Sequence, residues 1–255
     1  MKFDVIHADP PWRYSDKSRN RGGAERHYGT MSLEELKAMN VADYAAKDCC
    51  LLMWTTGPQL DDAIELMKAW GFGYGTLGFL WVKRSKNHWG NSARRIRQQL
   101  REMFKGQKEW KRNAILKAIT SEVVMEASKD RWFWGMGSYT RACGEVVLLG
   151  VKGSPAALRE DKGVHQVMEE IVGEHSAKPD EVYARIEKLF GPDVKRMDMF
   201  TRRNRPGWMA LGDQVGRTDY VICAKTFKIL PVQHEPEQGI IGGELHERIA
   251  HCECN

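Results

Sequence analysis

The first residues whose types and spacing suit a chemical role are one acid, two prolines and a tryptophan: Asp9, Pro10, Pro11 and Trp12. They follow the apolar stretch "FDVIHA". Each proline fixes its own φ angle, lacks a backbone N–H and pushes the residue before it toward an extended conformation. The Asp9 carboxylate and the Pro10 carbonyl are therefore expected at a fixed separation, as two acceptors outside a regular ladder. Such a pair matches a planar amino group with two N–H donors, and Trp12 offers an aromatic face on which the attached base stacks.

The exocyclic amine of adenine is a group that this pair of acceptors suits. Its lone pair is conjugated with the ring, so the nitrogen is a poor nucleophile. Two acceptors that hold its hydrogens favour tetrahedral nitrogen and localise the lone pair, and a sulfonium methyl group held in line can then be attacked directly. The base must first leave its stack, because the amine edge is inaccessible within a duplex. A tight Pro-Pro turn with a buried tryptophan is the alternative reading of the motif.

The elements around the motif alternate between short apolar runs and helical patterns. A capping box formed by Ser32 and Glu35 opens one helix, a second stops at Gly71, and a third begins at Pro179. Such alternation predicts an α/β domain with a largely parallel sheet, whose ligands bind at the carboxyl ends of the strands. The predicted strands span residues 3–8, 50–54, 78–82, 145–151, 195–200 and 219–224.

Between residues 84 and 117 both the charge and the periodicity change. This window holds eleven Lys or Arg against two acids, a net charge of +9, so the remainder of the chain carries −4 of the overall +5. Two helical stretches, at about 94–104 and 108–128, predict a helical hairpin inserted between strands. The charge favours a polyanion partner, with a solvated basic helix as the alternative. The candidate nucleic-acid-binding residues are Arg94, Arg95, Arg97, Arg101, Lys105 and Lys108.

These patterns divide the chain into a core (residues 1–83 and 132–228), a basic helical insert (84–131) and a peripheral tail (229–255). No apolar run reaches the roughly 20 residues of a membrane helix, and the first residues lack the apolar stretch of a signal peptide. The six cysteines form no CxxC pair, which favours a reduced, cytoplasmic protein. The His and Cys residues of the tail match no standard zinc site, so no metal is expected.

Six further blocks extend the signal beyond the motif at Asp9. In chain order they are "HYGTMS", "LLMWTTG", "FLWVK", "GMGSYTRACGEVVLLGVKG", "HSAKPDEVYARIEKL" and "MDMFTRRNRPGWMALGDQV". Together with "VIHADPPW" they resemble the amino-methyltransferase family that contains the catalytic subunit of the eukaryotic mRNA adenosine methyltransferase and the bacterial and phage DNA adenine-N6 methyltransferases. The block "GMGSYTR" resembles the bacterial and phage branch more closely, which implies the cytoplasm of a bacterium or of a phage-infected host cell.

The resemblance implies a Rossmann-like fold that binds S-adenosylmethionine, in a permuted order with the catalytic motif before the cofactor segment, and with a helical insert. It makes the four residues of the DPPW motif catalytic. The substrate-binding residues that it implies are Tyr28, Tyr139, Arg141 and Lys152. The cofactor-binding residues that it implies are Asp9, Lys152, His175, Ser176, Lys178, Phe200, Arg202, Asn204, Asp213 and Gln214. Each of these assignments has a plainer alternative. It is packing for Phe200 and Tyr28, and a solvated loop position for Lys152. For residues 175–178 it is capping of the helix that follows.

The leading function is therefore the transfer of a methyl group from S-adenosylmethionine to the N6 amine of adenine in DNA after base flipping, with the insert recognising the target. The same chemistry on RNA fits the motif, and a cytosine amine is a third target. A non-catalytic nucleic-acid-binding subunit is the alternative from another class, although such proteins usually lose the motif acid or aromatic, and Asp9 and Trp12 are both present. The expected partner is nucleic acid, DNA before RNA, with no membrane, and a homodimer stays open.

Overall fold

A computed structural model describes the chain at residues 1–13, 29–86, 98–99, 102–106, 132–137, 139–173, 177–212, 219–223 and 225–232. The chain falls into two compact units. Unit 1 comprises Met1–Gly78, Val147–Lys162 and Phe190–Asn255, and unit 2 comprises Phe79–Val146 and Gly163–Leu189. No helix within the described ranges is long and apolar enough to cross a membrane.

Nine strands form the sheet in the part of the chain that the structure describes, in the order β5-β3-β4-β2-β1-β6-β7-β8-β9. They are β1 (Phe3–Ala8), β2 (Ala45–Thr55), β3 (Gly73–Arg84), β4 (Gly144–Lys152), β5 (Val167–Ile171), β6 (Arg196–Met199), β7 (Trp208–Leu211), β8 (Tyr220–Ile222) and β9 (Ile229–Pro231). The α-helices with described bounds are α1 (Leu33–Lys37), α2 (Leu60–Ala69) and α3 (Glu181–Phe190).

The sheet of unit 1 is built around β1. This strand pairs in parallel with β2 on one side and with β6 on the other, and β7 and β8 continue the parallel order before β9 pairs antiparallel with β8. Phe3, Val5, Ile6 and Ala8 are completely buried. A strand that is covered on both faces reads as a continuous apolar run, which is why "FDVIHA" predicted it.

Helices α1 and α2 follow local signals in the sequence. The backbone N–H of Glu35 donates to Ser32 Oγ at 3.3 Å, and the Ser32 N–H donates to the Glu35 carboxylate at 2.6 Å, which completes the predicted capping box. Helix α2 ends before Gly71, whose φ of +83° lies in the left-handed region that glycine tolerates. The buried Trp70 indole donates to the Leu36 carbonyl at 2.8 Å and so joins the end of α2 to α1.

Unit 2 contains the second half of β3, the start of β4, strand β5 and most of α3. Strands β3 and β5 pair in parallel, from Leu80 with Val167 onward. The Trp81 indole donates to the Glu170 carbonyl at 3.1 Å across this pair. Helix α3 begins at Glu181, two residues after the predicted start, and buries the face on which its apolar residues repeat.

The predicted α/β class with a parallel centre and a Rossmann-like architecture is confirmed, whereas the permuted order stays a prediction. Strands β5, β7 and β9 were not predicted. Residues 229–231, which we assigned to the peripheral tail, form the edge strand β9 because they continue the antiparallel ladder of β8. Most of the predicted insert lies outside the described residues, and within it residues 98–99 and 102–103 are helical.

Candidate active site

Polar groups gather where the parallel strands of unit 1 end. Asp9 follows β1, and its backbone N–H donates to the Met199 carbonyl at the end of β6 at 3.4 Å. Thr201 follows β6, and its N–H donates to the Leu211 carbonyl at the end of β7 at 3.1 Å. Because ligands of open α/β sheets bind outside the carboxyl ends of the strands, this edge is the candidate site.

The two prolines turn the chain directly after Asp9. The Trp12 N–H donates to the Pro10 carbonyl at 2.8 Å, which is the hydrogen bond of a γ-turn centred on Pro11. The Met31 N–H then donates to the Pro11 carbonyl at 2.8 Å and fixes the turn from outside. We expected the Pro10 carbonyl to lie outside a regular ladder. It does, but the turn engages one of the two lone pairs that a carbonyl oxygen carries.

Trp12 is packed inside unit 1. The residue is only 6% exposed, and its indole N–H donates to the Trp54 carbonyl at 3.2 Å. The Gln59 side chain donates to the carbonyl of Arg13, the residue after the motif, at 3.3 Å. The ring is therefore held against β2 rather than presented to solvent, and its role as a stacking surface for a base stays a prediction.

A chain of buried hydrogen bonds, which the sequence analysis missed, joins three strands at this end of the sheet. The Trp54 indole N–H donates to His7 Nε2 at 2.8 Å, and His7 Nδ1 lies 2.7 Å from Asp198 Oδ1. An indole nitrogen can only donate, so Nε2 carries no proton and Nδ1–H donates to the carboxylate. The neutral imidazole thus links β2, β1 and β6. We call these three residues the histidine network.

The segment after β6 has an unusual backbone. Phe200 has a φ of +62°, a left-handed conformation that is rare for an aromatic residue and is found where the surrounding structure enforces it. A Cβ on Gly212 would lie 2.0 Å from the Thr201 carbonyl oxygen, so glycine is required where the loops after β6 and β7 meet. Arg202 and Asn204 are exposed in the turn between these strands. Part of the predicted cofactor segment therefore lies at the same carboxyl edge of the sheet as Asp9.

The side chain of Thr56, directly after β2, tests whether this edge fits a ligand. Its hydroxyl oxygen is buried, and the described residues supply it with no hydrogen-bond partner. An unsatisfied buried hydroxyl costs about 1–3 kcal/mol, so proteins generally provide a partner for it. The edge therefore combines a carboxylate, an unpaired hydroxyl, an amide and a guanidinium, a donor and acceptor set that fits a polar ligand such as S-adenosylmethionine.

Lys152 is not brought to this edge. Its ammonium donates to the carbonyl of Ala42, just before β2 begins, at 3.1 Å. The register pairs Phe3 with Ala45, so Lys152 lies at the amino end of β1. At about 3.3 Å per residue, this is roughly 20 Å from Asp9. The resemblance implied that Lys152 contacts cofactor and substrate, but the end of β4 lies beside the start of β2 and holds the lysine at the opposite edge.

Lys178 lies in unit 2, in a charged cluster of three residues. Its ammonium is 3.1 Å from Glu145 Oε2, and Lys83 donates to the other oxygen of the same carboxylate. Burial acts to raise the pKa of Glu145, but the charges and hydrogen bonds of Lys178 and Lys83 outweigh it, so the pKa is lowered. Glu145 and Lys83 were not among the predicted residues. Glu145 could have been identified from the sequence, because it is an acid at the start of an apolar strand.

Tyr139 and Arg141 also lie in unit 2, where Tyr139 is fully exposed and the Arg141 guanidinium lies 4.8 Å from the centroid of the Trp134 ring. Lys105 is exposed. The described residues contain no group of three or more His, Cys, Asp and Glu that could hold a metal ion. The predicted site residues outside the described ranges are Tyr28, Arg94, Arg95, Arg97, Arg101, Lys108, His175, Ser176, Asp213 and Gln214.

A model of the MT-A70 family matches the chain at residues 3–130 and 129–214, nearly the whole span from β1 to the end of the predicted cofactor segment. The chain belongs to the MT-A70 family. This MT-A70 chain is 30% identical over 224 residues to the Type II methyltransferase M.MunI of a Mycoplasma species, an alignment that covers 81% of the chain and 75% of that relative.

Eukaryotic relatives align over a similar length. The MT-A70 chain is 28% identical over 217 residues to a putative N(6)-adenosine-methyltransferase MT-A70-like protein of Medicago truncatula. It is 26% identical over 216 residues to the human N(6)-adenosine-methyltransferase catalytic subunit METTL3. These alignments cover 84% of the chain but only 26% and 28% of the two relatives, so the chain spans about a quarter of their length.

The comparisons confirm the predicted family and, with it, the methyltransferase class. Methyltransferases of the MT-A70 family depend on S-adenosylmethionine in general, and the relatives include N(6)-adenosine methyltransferases. Homodimerisation, which the sequence analysis left open, finds no support in the comparisons or in the described residues.

Proposed function

We propose that this chain transfers the methyl group of S-adenosylmethionine to the N6 amine of adenine in DNA, after the base has left its stack. The observation that carries the proposal is the arrangement of Asp9 and the Pro10 carbonyl at the carboxyl end of the central strand, fixed by a γ-turn. DNA is favoured over RNA because M.MunI, which aligns over most of both chains, is a Type II methyltransferase. The block "GMGSYTR" also resembles the bacterial and phage branch.

The Asp9 carboxylate and the Pro10 carbonyl oxygen accept the two hydrogens of the adenine amine. The Trp12 N–H uses one lone pair of the carbonyl oxygen, which leaves the second lone pair for the amine. As the nitrogen becomes tetrahedral its lone pair leaves conjugation with the ring and becomes nucleophilic. Positioning of the amine is then a large part of the catalysis, and we assign to Asp9 the proton that the amine loses.

The residues at the carboxyl edge of unit 1 would hold the cofactor. S-adenosylmethionine, when bound, supplies an electrophilic methyl group on a sulfonium centre. The buried Thr56 hydroxyl and the exposed Asn204 amide suit ribose hydroxyls, and the Arg202 guanidinium suits a carboxylate. From the resemblance we retain Phe200, Asp213, Gln214, His175, Ser176 and Lys178 in the same role, and Tyr28, Tyr139 and Arg141 as substrate contacts.

The histidine network has a positioning role in this proposal. His7 lies in β1, two residues before Asp9, and is hydrogen-bonded on both sides to neighbouring strands. A shift of β1 against β2 or β6 would break one of these buried hydrogen bonds. The network therefore holds the backbone that carries Asp9, and it takes no direct part in the chemistry.

The proposal is tested by incubating the protein with isotopically labelled S-adenosylmethionine and, separately, duplex DNA, single-stranded DNA or RNA, followed by identification of the labelled nucleoside. We expect N6-methyladenine from DNA. Asp9→Asn should lose activity by about 10²–10⁴-fold, because it removes a proton acceptor at the reacting amine. The matched control is Asp48→Asn, an acid at the opposite edge whose side-chain oxygen accepts from the Ser154 N–H at 2.7 Å.

Asp48→Asn keeps that acceptor and should retain full activity. Equal labelling by the wild type and by Asp9→Asn would contradict the mechanism. Label on cytosine, or on RNA with none on DNA, would contradict the assigned substrate. Binding of DNA without transfer to any base would favour the non-catalytic alternative.

A further inference from the structure

A strip of exposed apolar side chains lies in unit 2 and follows the predicted insert (84–131) in the sequence. It consists of Trp132, Phe133, Trp134, Met136 and Tyr139, which we call the aromatic strip. Trp134 is 72% exposed, Met136 is 79% exposed and Tyr139 is fully exposed. Single exposed apolar residues are ordinary, but a contiguous group of large ones marks an interaction site.

The strip is held on a defined backbone. The Phe133 N–H donates to the Lys83 carbonyl, near the end of β3, at 2.9 Å. Further along, Met136 pairs antiparallel with Arg141. A Cβ on Gly135 would lie 2.0 Å from the carbonyl oxygen of the returning arm, so only glycine allows the two arms to approach this closely. The aromatic rings are thus presented by a preformed hairpin, which reduces the ordering cost of binding.

Positive charge contacts the strip directly. The Arg141 guanidinium lies 4.8 Å from the Trp134 ring centroid, and its Nη1 is 3.5 Å from the sulfur of Met136. The Lys83 ammonium lies 5.9 Å from the Phe133 ring centroid. These are cation–π distances at which a guanidinium and a ring form one surface that is both flat and positive.

The strip itself contains no acid in the sequence. Residues 131–144 contain two arginines and no acid. The 13 residues before them hold Glu122, Glu126 and Asp130 against Lys129, a net −2, and the segment 84–117 carries +9, so residues 84–144 together carry a net +9. The first acid that follows, Glu145, is already engaged by Lys83 and Lys178. The surface therefore complements a partner that combines negative charge with flat apolar groups, a combination that single-stranded nucleic acid offers.

We propose that the aromatic strip binds unpaired bases of the DNA substrate by stacking, with Trp134 and Tyr139 as the main contacts and Arg141 beside a phosphate. The inference rests on the proposed function and adds to it the part of the substrate that unit 2 recognises. Stacking on an aromatic ring tolerates any base, because every base has a π-face. The strip thus adds affinity for unstacked DNA without reading its sequence.

The test measures the affinity of the full chain for a fluorescein-labelled single-stranded DNA oligonucleotide and for its duplex, by fluorescence anisotropy at several salt concentrations. Trp134→Ala should weaken single-strand binding roughly 5- to 100-fold with an unchanged salt dependence, and Trp134→Phe should restore most of the affinity. Arg141→Ala should instead reduce the slope of log K against log salt by about 1. Tyr74→Ala removes an aromatic residue of unit 1 that is 46% exposed, and it should change neither.

Unchanged single-strand affinity in Trp134→Ala combined with Tyr139→Ala, in a variant whose circular dichroism spectrum matches the wild type, would overturn the inference. So would a change of sedimentation coefficient with unchanged DNA affinity, which would make the strip an interface between copies of the chain. Strip-dependent binding of an RNA oligonucleotide with no binding of DNA would also overturn it. Failure of the proposed function looks different: the wild type would bind DNA through the strip and methylate no adenine.

Discussion

The two units satisfy their buried polar residues in opposite ways. In unit 1 the histidine network places a neutral imidazole between an indole donor and a carboxylate, and each partner belongs to a different strand. In unit 2 the Glu145 carboxylate lies between two ammonium groups. The first arrangement depends on matched donors and acceptors, and therefore on strand geometry. The second depends on charge, and therefore on pH. The hydrogen bonds of the histidine network fix the positions of three neighbouring strands, whereas the Glu145 carboxylate holds Lys83 and Lys178 by charge.

The variant His7→Leu tests the role of the histidine network and should have the largest effect on stability. This variant removes the partner of a buried indole N–H and of a buried carboxylate, so we expect the free energy of unfolding to fall by about 2–4 kcal/mol. Urea denaturation at neutral pH measures it. His7→Leu combined with Asp198→Leu should recover part of the loss, because both members of the buried pair are then apolar. A loss below about 0.5 kcal/mol in His7→Leu would mean that the network does not stabilise unit 1.

Glu145→Gln sharpens the contrast through pH. A lowered pKa means that ionised Glu145 stabilises the fold above its ordinary value of 4.5, and that this stability is lost as the pH falls through the folded pKa. The variant should therefore be less stable by roughly 1–3 kcal/mol at pH 7, since two half-buried lysines lose their partner. Wild type and variant should converge in acid.

The matched control for this variant is Glu102→Gln, an exposed acid of the same unit, which should stay within about 0.5 kcal/mol of the wild type at pH 7. A difference between wild type and Glu145→Gln that is the same at pH 7 and in acid would show that the cluster does not act through charge.

Thiol reactivity gives the smallest and most local test. Burial raises the pKa of Cys49 to about 12 and the pKa of Cys50 to about 11, so both thiols of β2 stay protonated at neutral pH. Cys143 of unit 2 is only half-buried. Iodoacetamide at mildly alkaline pH, followed by peptide mass spectrometry, should label Cys143 in the native protein and label Cys49 and Cys50 only after unfolding. Early labelling of Cys49 would show that the centre of unit 1 opens readily.

Local signals in the sequence predicted the elements around the site well. The Ser32–Glu35 capping box and the stop at Gly71 each depend on a few neighbouring residues, so they could be identified without the fold. Strand β7 was missed because its four residues are too few to show a period, and β5 because Glu169 and Glu170 interrupt its apolar residues. Strand β5 owes its conformation to pairing with β3, 87 positions away, and β7 to pairing with β6 and β8 on either side of it in the sequence. Neither pairing is visible in the residues of the strand alone.

The site was predicted less completely than the fold. Asp9 could be identified because its motif is local. The histidine network pairs residues 191 positions apart, and only a lone His7 and a lone Asp198 inside two apolar runs hinted at it. Lys152 was assigned from the resemblance alone, and its place at the opposite edge follows from where β4 ends, which a motif does not encode.

The γ-turn at Pro11 bears on what happens after transfer. One lone pair of the Pro10 carbonyl is occupied by the Trp12 N–H, so in the proposed reaction Asp9 and Pro10 offer one acceptor for each amine hydrogen. Unmodified adenine brings two hydrogens, whereas the methylated base brings one. The product therefore leaves one acceptor unsatisfied, which weakens its hold on the site and disfavours a second transfer. In the proposed reaction, the loss of this one hydrogen bond would favour both product release and monomethylation.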